Sequence, residues 1–156
     1  MIHLRQAEEK DIKLIIWFIN ELAIYEKMKD EVIVTEELIR KWVFNKKIAH
    51  VIIAEYDSKP VGFALYFFNY STFLGKAGLY LEDLYVIKEY RKKKIGITLF
   101  KELASIAVKE DCGRMEWSCL KWNEPSIRFY EKLGAIRMEE WDTYRLTRDK
   151  IESLKK

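Results

Sequence analysis

Leu79-Tyr80-Leu81-Glu82-Asp83-Leu84-Tyr85-Val86-Ile87 leads, after three residues, into Arg91-Lys92-Lys93-Lys94-Ile95-Gly96. The first stretch is apolar and aromatic and reads as a strand. Beyond the basic run, Leu99, Phe100, Leu103, Ala104, Ile106, Ala107 and Val108 recur at helical spacing. A strand therefore passes through a cationic turn into a helix. The first N–H groups of a helix have no intrahelical partner and point outward, so the turn suits a phosphate or pyrophosphate. Four consecutive cations strengthen that field, although a solvated turn that merely starts a helix would have the same composition. Glu82 and Asp83 interrupt the strand. Neighbouring strand residues face opposite ways, so only one can aim at a given site unless a bulge intervenes. Two mid-strand acids are locally unfavourable and point to function, unless the strand is an edge facing water.

Working outward, Ile2-His3-Leu4-Arg5 alternates as a short strand, and apolar residues from Glu8 to about Met28 recur at helical spacing. Thr35-Glu36-Glu37-Leu38 starts a second helix that runs to about Asn45. Ala49 to Tyr56 and Val61 to Tyr70 are strands joined at Asp57-Ser58-Lys59-Pro60, an antiparallel hairpin. Gly113 to Leu120 and Trp141 to Leu146 are predicted strands as well. Between them, Asn123-Glu124-Pro125-Ser126 opens a short helix that stops at Gly134, with an N-cap Asn, an early Pro and a terminal Gly in agreement. The order β-αα-βββ-α-β-α-β describes one α/β unit with a mixed sheet, a single domain over residues 1–156.

Composition narrows the class. The chain has 156 residues, 49% of them apolar and 34% charged, which is a globular balance. Its longest unbroken apolar run, Leu14 to Ile19, is too short to cross a bilayer. Met1 is followed at once by His3 and Arg5, so no secretory leader is expected and a cytoplasmic location is. Twenty-eight basic residues against 25 acidic ones leave a net charge of +3, too little to imply a nucleic-acid partner. Cys112 and Cys119 with His3 and His50 do not make a zinc set, so no metal is expected.

The basic loop, the capped helix and the acidic strand together resemble the GCN5-related N-acetyltransferase (GNAT) superfamily, over essentially the whole chain. That family's pyrophosphate loop reads Arg/Gln-x-x-Gly-x-Gly/Ala. Arg91 to Gly96 matches its first and last positions, with Lys94 where the first glycine is usual. Asn123 to Ala135 matches the family's Asn-x-x-Ala/Ser-x-x-Phe-Tyr-x-x-x-Gly-Ala/Phe pattern. Glu21-Leu22-Ala23-x-Tyr25-Glu26-Lys27, Tyr70-Ser71-Thr72-Phe73, Leu79 to Val86 and Trp122 to Ser126 resemble the spermidine/spermine (diamine) acetyltransferases and their thialysine-acetylating relative.

The resemblance implies a mixed, mostly antiparallel sheet of about six to seven strands with about four helices. It also implies acetyl-CoA as donor, a small cationic amine as acceptor and a homodimer. A primary amine with a pKa near ~10.4 is protonated at pH 7 and must lose its proton to attack. By resemblance Glu82 is the base, acting through a water, and Tyr130 is the acid that protonates the departing thiolate. Leu84, Tyr85 and Val86 would hold the pantetheine amides, with an N–H near Leu84 facing the developing oxyanion. Arg91, Lys92, Lys93, Lys94, Ile95, Gly96 and Ile97 would hold the pyrophosphate, with Lys94 adding a cation. Asn123 and Ser126 would bond the pantetheine arm. Tyr25, Glu26, Glu82, Asp83 and Asp142 would meet the amine. The aspartate and tryptophan of the polyamine-acting form stand here as Ser71 and Phe73, which favours a shorter diamine or a lysine-like amine. Two other readings remain open: an acetyltransferase for a different amine (an aminoglycoside, amino acid or protein), and a non-catalytic acetyl-CoA-binding module.

Overall fold

Asp57 and Ser58 both take positive φ, 49° and 68°. Two-residue loops of that kind match the twist of the strands they join, so β2 (His50–Tyr56) turns directly into β3 (Lys59–Ser71). A computed structural model describes every residue from Met1 to Lys156. It contains two units, Met1–Ser118 and Cys119–Lys156.

The first unit carries the sheet. β1 (Ile2–Gln6), β2, β3, β4 (Lys76–Val86) and β5 (Arg114–Trp117) lie side by side in chain order. The first three pairings are antiparallel, and β5 joins β4 in parallel. That parallel return uses α3 (Ile95–Lys109) as its crossover. α1 (Ile12–Tyr25) covers one face, where Ile12, Ile15 and Phe18 pack with Val51, Ile53, Phe63 and Tyr85. Phe18 stacks on Phe63 with ring centroids 5.1 Å apart and planes 5° from parallel. Strand alternation turns Ile52, Ala54 and Ala64 the other way, and α3 packs on β2, β3 and β4 through Ile95, Leu99 and Leu103. α2 (Glu36–Ile39) is capped by Thr35, whose hydroxyl accepts the Leu38 N–H, and continues as a π-helix through Arg40–Asn45.

The second unit holds α4 (Glu124–Lys132) and α5 (Arg148–Lys155). Gly134, at φ 87°, ends α4, and the Ala135 N–H reaches back to the Tyr130 carbonyl at 3.1 Å.

The sheet has five strands, fewer than expected, because the strand predicted at Trp141 to Leu146 does not form. That segment has alternating apolar residues but no ladder partner, and Trp141, Tyr144 and Leu146 are 72%, 93% and 57% exposed. Periodicity alone does not supply the neighbour a strand requires. β5 also stops at Trp117, three residues short of the expected end. α5, unforeseen from apolar spacing, is a polar helix supported by an Arg148–Glu152 pair one turn apart.

Candidate active site

The two mid-strand acids of β4 sit at a break in the ladder. Leu65 of β3 opposes Asp83 while Tyr66 opposes Leu81, so Glu82 is an extra residue on β4. It is a bulge, the one arrangement that frees adjacent strand residues from strict alternation. Glu82 is exposed and Asp83 is half-buried. Burial, then the charges of Glu82 and Glu26, push the Asp83 carboxyl up to about 7. Burial, then Glu82, also raises Glu26 above the usual carboxylate range. Three carboxyls from two elements therefore share one field. Such a cluster resists full ionisation until a cation enters it.

The end of α1 places Glu26. Lys27 takes φ 62°, the Met28 N–H donates to the Ala23 carbonyl at 2.8 Å, and the Lys27 N–H donates to Ile24 at 3.1 Å. This left-handed closure is usually made with glycine. It stops the helix at Tyr25 and leaves Glu26 just beyond.

The cationic turn follows the C-terminal end of the same strand, beyond the bulge. A short 3-10 turn, Lys88–Tyr90, follows β4, and α3 begins at Ile95. Lys92 and Lys94 both adopt left-handed φ, 69° and 65°. Alternation of this kind aims successive N–H groups into a concavity that suits anions. The Thr98 hydroxyl bonds the Lys94 carbonyl at 2.7 Å and fixes the first turn. A Cβ placed on Gly96 would meet no heavy atom within 4 Å, so space stands open beside that turn. The donors, cations and free volume fit a pyrophosphate.

Before the bulge, β5 accompanies β4 only from Gly78 to Leu81. No strand pairs with that edge of β4 at Leu84, Tyr85 and Val86, which is where an amide-bearing arm could add as a strand would. The Val86 carbonyl already accepts a bond from Arg91 Nε at 3.0 Å. Arg91, the residue expected to open the phosphate loop, has its guanidinium carbon 5.1 Å from the Tyr25 ring centroid and 5.4 Å from that of Tyr85.

In the second unit Asn123 is buried at the N-cap position of α4, and Ser126 and Tyr130 follow four apart on one face. Phe129 and Tyr130 meet edge to face, centroids 5.8 Å apart. Asp142 lies exposed on the stretch between α4 and α5. The structure thus gathers Tyr25, Glu26, Glu82 and Asp83 on the first unit with the loop Arg91 to Ile97. It sets Ser126 and Tyr130 on α4 of the second, with Asn123 at that helix's N-cap.

Two features have no signal in the sequence. The raised Asp83 carboxyl follows chiefly from burial, which spacing does not report. The Arg91 stack joins residues far apart in sequence, and no local pattern announces it.

Comparisons with known proteins agree with this geometry. The acetyltransferase (GNAT) family model matches residues 13–135. Bovine (Bos taurus) thialysine N-epsilon-acetyltransferase is 35% identical over 98% of this chain and 96% of its own length. A human spermidine/spermine N(1)-acetyltransferase-like protein is 35% identical over 95% of this chain and 23% of its own length. A crystallised integron cassette protein from V. cholerae superposes with a TM-score of 0.81 at 28% identity, covering 99% of this chain and 98% of that one. The chain belongs to the acetyltransferase (GNAT) family, in its diamine and thialysine branch, and is an N-acetyltransferase.

Proposed function

We propose that the protein moves an acetyl group from acetyl-CoA to a primary amine of a small aliphatic polycation: a diamine, a polyamine or a thialysine-like amine. The observation that carries this reading is the single strand β4. It bears a clustered set of carboxyls at its bulge and leads into an anion-suited helix start at its end. The two units act as one domain in this reading, supported by a family match that runs across their boundary at Ser118.

When bound, acetyl-CoA supplies an activated thioester. Lys92, Lys93, Lys94, Ile95, Gly96 and Ile97 hold its pyrophosphate by backbone N–H groups and cationic side chains. Leu84 and Tyr85 would hold the pantetheine amides along the open edge of β4, and a backbone N–H near Leu84 would stabilise negative charge on the acyl oxygen. Asn123 and Ser126 bond the pantetheine arm. Asp83, Glu26, Tyr25 and Asp142 receive the amine, and Glu82, exposed on the bulge, takes its proton through a water. Tyr130 would donate its phenolic proton to the departing sulfur and regain one from solvent. The resembled subfamily supports a cytoplasmic homodimer.

Ser71 favours the smaller amines. It is buried, and its hydroxyl accepts the Leu74 N–H at 3.2 Å to close the β3–β4 turn, so it adds no charge for a long polyamine. Thiol release from acetyl-CoA across putrescine, spermidine, spermine, thialysine, lysine and an aminoglycoside tests the proposal. Turnover greatest with thialysine or putrescine is expected. Turnover confined to the aminoglycoside, or none with any amine, overturns it.

A further inference from the structure

Arg91 is the first residue of the cationic loop, yet its side chain is engaged elsewhere. Its Nε donates to the Val86 carbonyl at 3.0 Å, at the end of β4. Its guanidinium lies against the rings of both Tyr25, the last residue of α1, and Tyr85, on β4. The Tyr85 ring is buried in the core against which α1 packs. One side chain thus touches two elements and is carried by a third. The planar guanidinium suits this, because it can stack on aromatic faces while spending an N–H on a carbonyl.

The elements it joins belong to opposite halves of the site. The loop from Lys92 onward is the anion-suited half, and Lys92, next in sequence, takes a left-handed φ of 69°. Lys92 follows Arg91 directly, so a shift of its backbone towards an anion would be passed to the residue that carries the stack. Glu26 follows Tyr25 directly, and the Glu26, Glu82 and Asp83 carboxyls share one field. Moving the Tyr25 ring moves Glu26 relative to the other two. We propose that Arg91 is a positioning residue, stacked on Tyr25 and Tyr85, through which occupation of the cofactor loop tightens the amine site. This rests on the acetyltransferase reading and adds a coupling between its two ligands. By linkage the effect is reciprocal, so a bound amine tightens the loop by the same factor.

Calorimetric titration tests this. Thialysine, and in parallel putrescine, is titrated into the full-length protein with and without saturating coenzyme A, and the ratio of dissociation constants is compared between variants. In the wild type, coenzyme A is expected to tighten the amine about fivefold or more. Arg91→Ala and Tyr25→Leu should each bring the ratio close to one, while Tyr25→Phe, which keeps the ring, retains it. General loosening of the fold would weaken each ligand alone and leave the ratio unchanged. If Arg91→Ala does not fold, the Tyr25 pair carries the same comparison. A wild-type ratio near one, or an unchanged ratio in Arg91→Ala or Tyr25→Leu, overturns the coupling and leaves the acetyltransferase reading intact. Failure of coenzyme A to bind at all overturns both.

Discussion

At Asp83 the role proposed for the carboxyl opposes the stability of the fold. Its folded pKa of about 7 lies above the ordinary value of 3.8, so the folded state binds the extra proton between those values. The contribution to stability is present at low pH and falls as pH rises from about 4 towards 7. Asp83→Asn imitates the protonated form. It should therefore stabilise the fold at pH 8 by roughly 2–4 kcal/mol, and by less at pH 5, read from urea midpoints at both. The same substitution should abolish the rise of amine kcat/KM through about pH 7, because only the ionised group draws a cation. Lys94 poses a related conflict. It stands at φ 65° and ψ 17°, where a side chain is strained. Lys94→Gly should stabilise the fold by about 1 kcal/mol. It should also weaken coenzyme A and flatten the salt dependence of its binding, measured by titration across ionic strength. The sequence made both conflicts visible, as acids in a strand and a missing glycine. It left the energies unread, since these depend on neighbours distant along the chain.

Among elements, the N-terminal corner is held by charge as well as by packing. Arg5 on β1 reaches Asp11 with two bonds of 2.7 and 3.0 Å and Glu55 on β2 with one of 2.8 Å. Asp11 is 5% exposed, also accepts the Glu8 N–H, and immediately precedes α1. Its bond to Arg5 holds the Asp11 carboxyl below the usual range. The sign is the reverse of that at Asp83: this stabilisation is present above about pH 4 and is lost as pH falls through the lowered pKa. Arg5→Met strands a buried carboxylate and should cost about 3–5 kcal/mol. Arg5→Met with Asp11→Leu should recover much of that loss, as a denaturation double-mutant cycle would show. Elements with strong local punctuation were legible in sequence, including the Asp57-Ser58 hairpin and α4 with its Asn123, Pro125 and Gly134. Trp141 to Leu146 forms no strand because a strand needs a partner edge, which an apolar pattern does not report.

At the scale of the molecule, a net charge of +3 conceals two opposed fields on the first unit. Cations at Lys92, Lys93 and Lys94 lie at one end of β4, and carboxyls at Glu26, Glu82 and Asp83 at its bulge. In the proposed reaction, their separation along one strand would let an anionic donor and a cationic acceptor lie side by side. Fold class and family were legible because the order of elements and the loop and helix motifs are local patterns. The bulge that frees Glu82 and the stack that engages Arg91 were not, since each depends on pairing between segments far apart in sequence. Proton transfer to the leaving sulfur is the step on which the proposed chemistry depends, and Tyr130 is assigned to it. The direct test is steady-state turnover of thialysine at saturating acetyl-CoA by the wild type and Tyr130→Phe. The account predicts a fall in kcat of about 10²-fold or more, with the KM for acetyl-CoA little changed. A kcat for Tyr130→Phe within about twofold of wild type would contradict it.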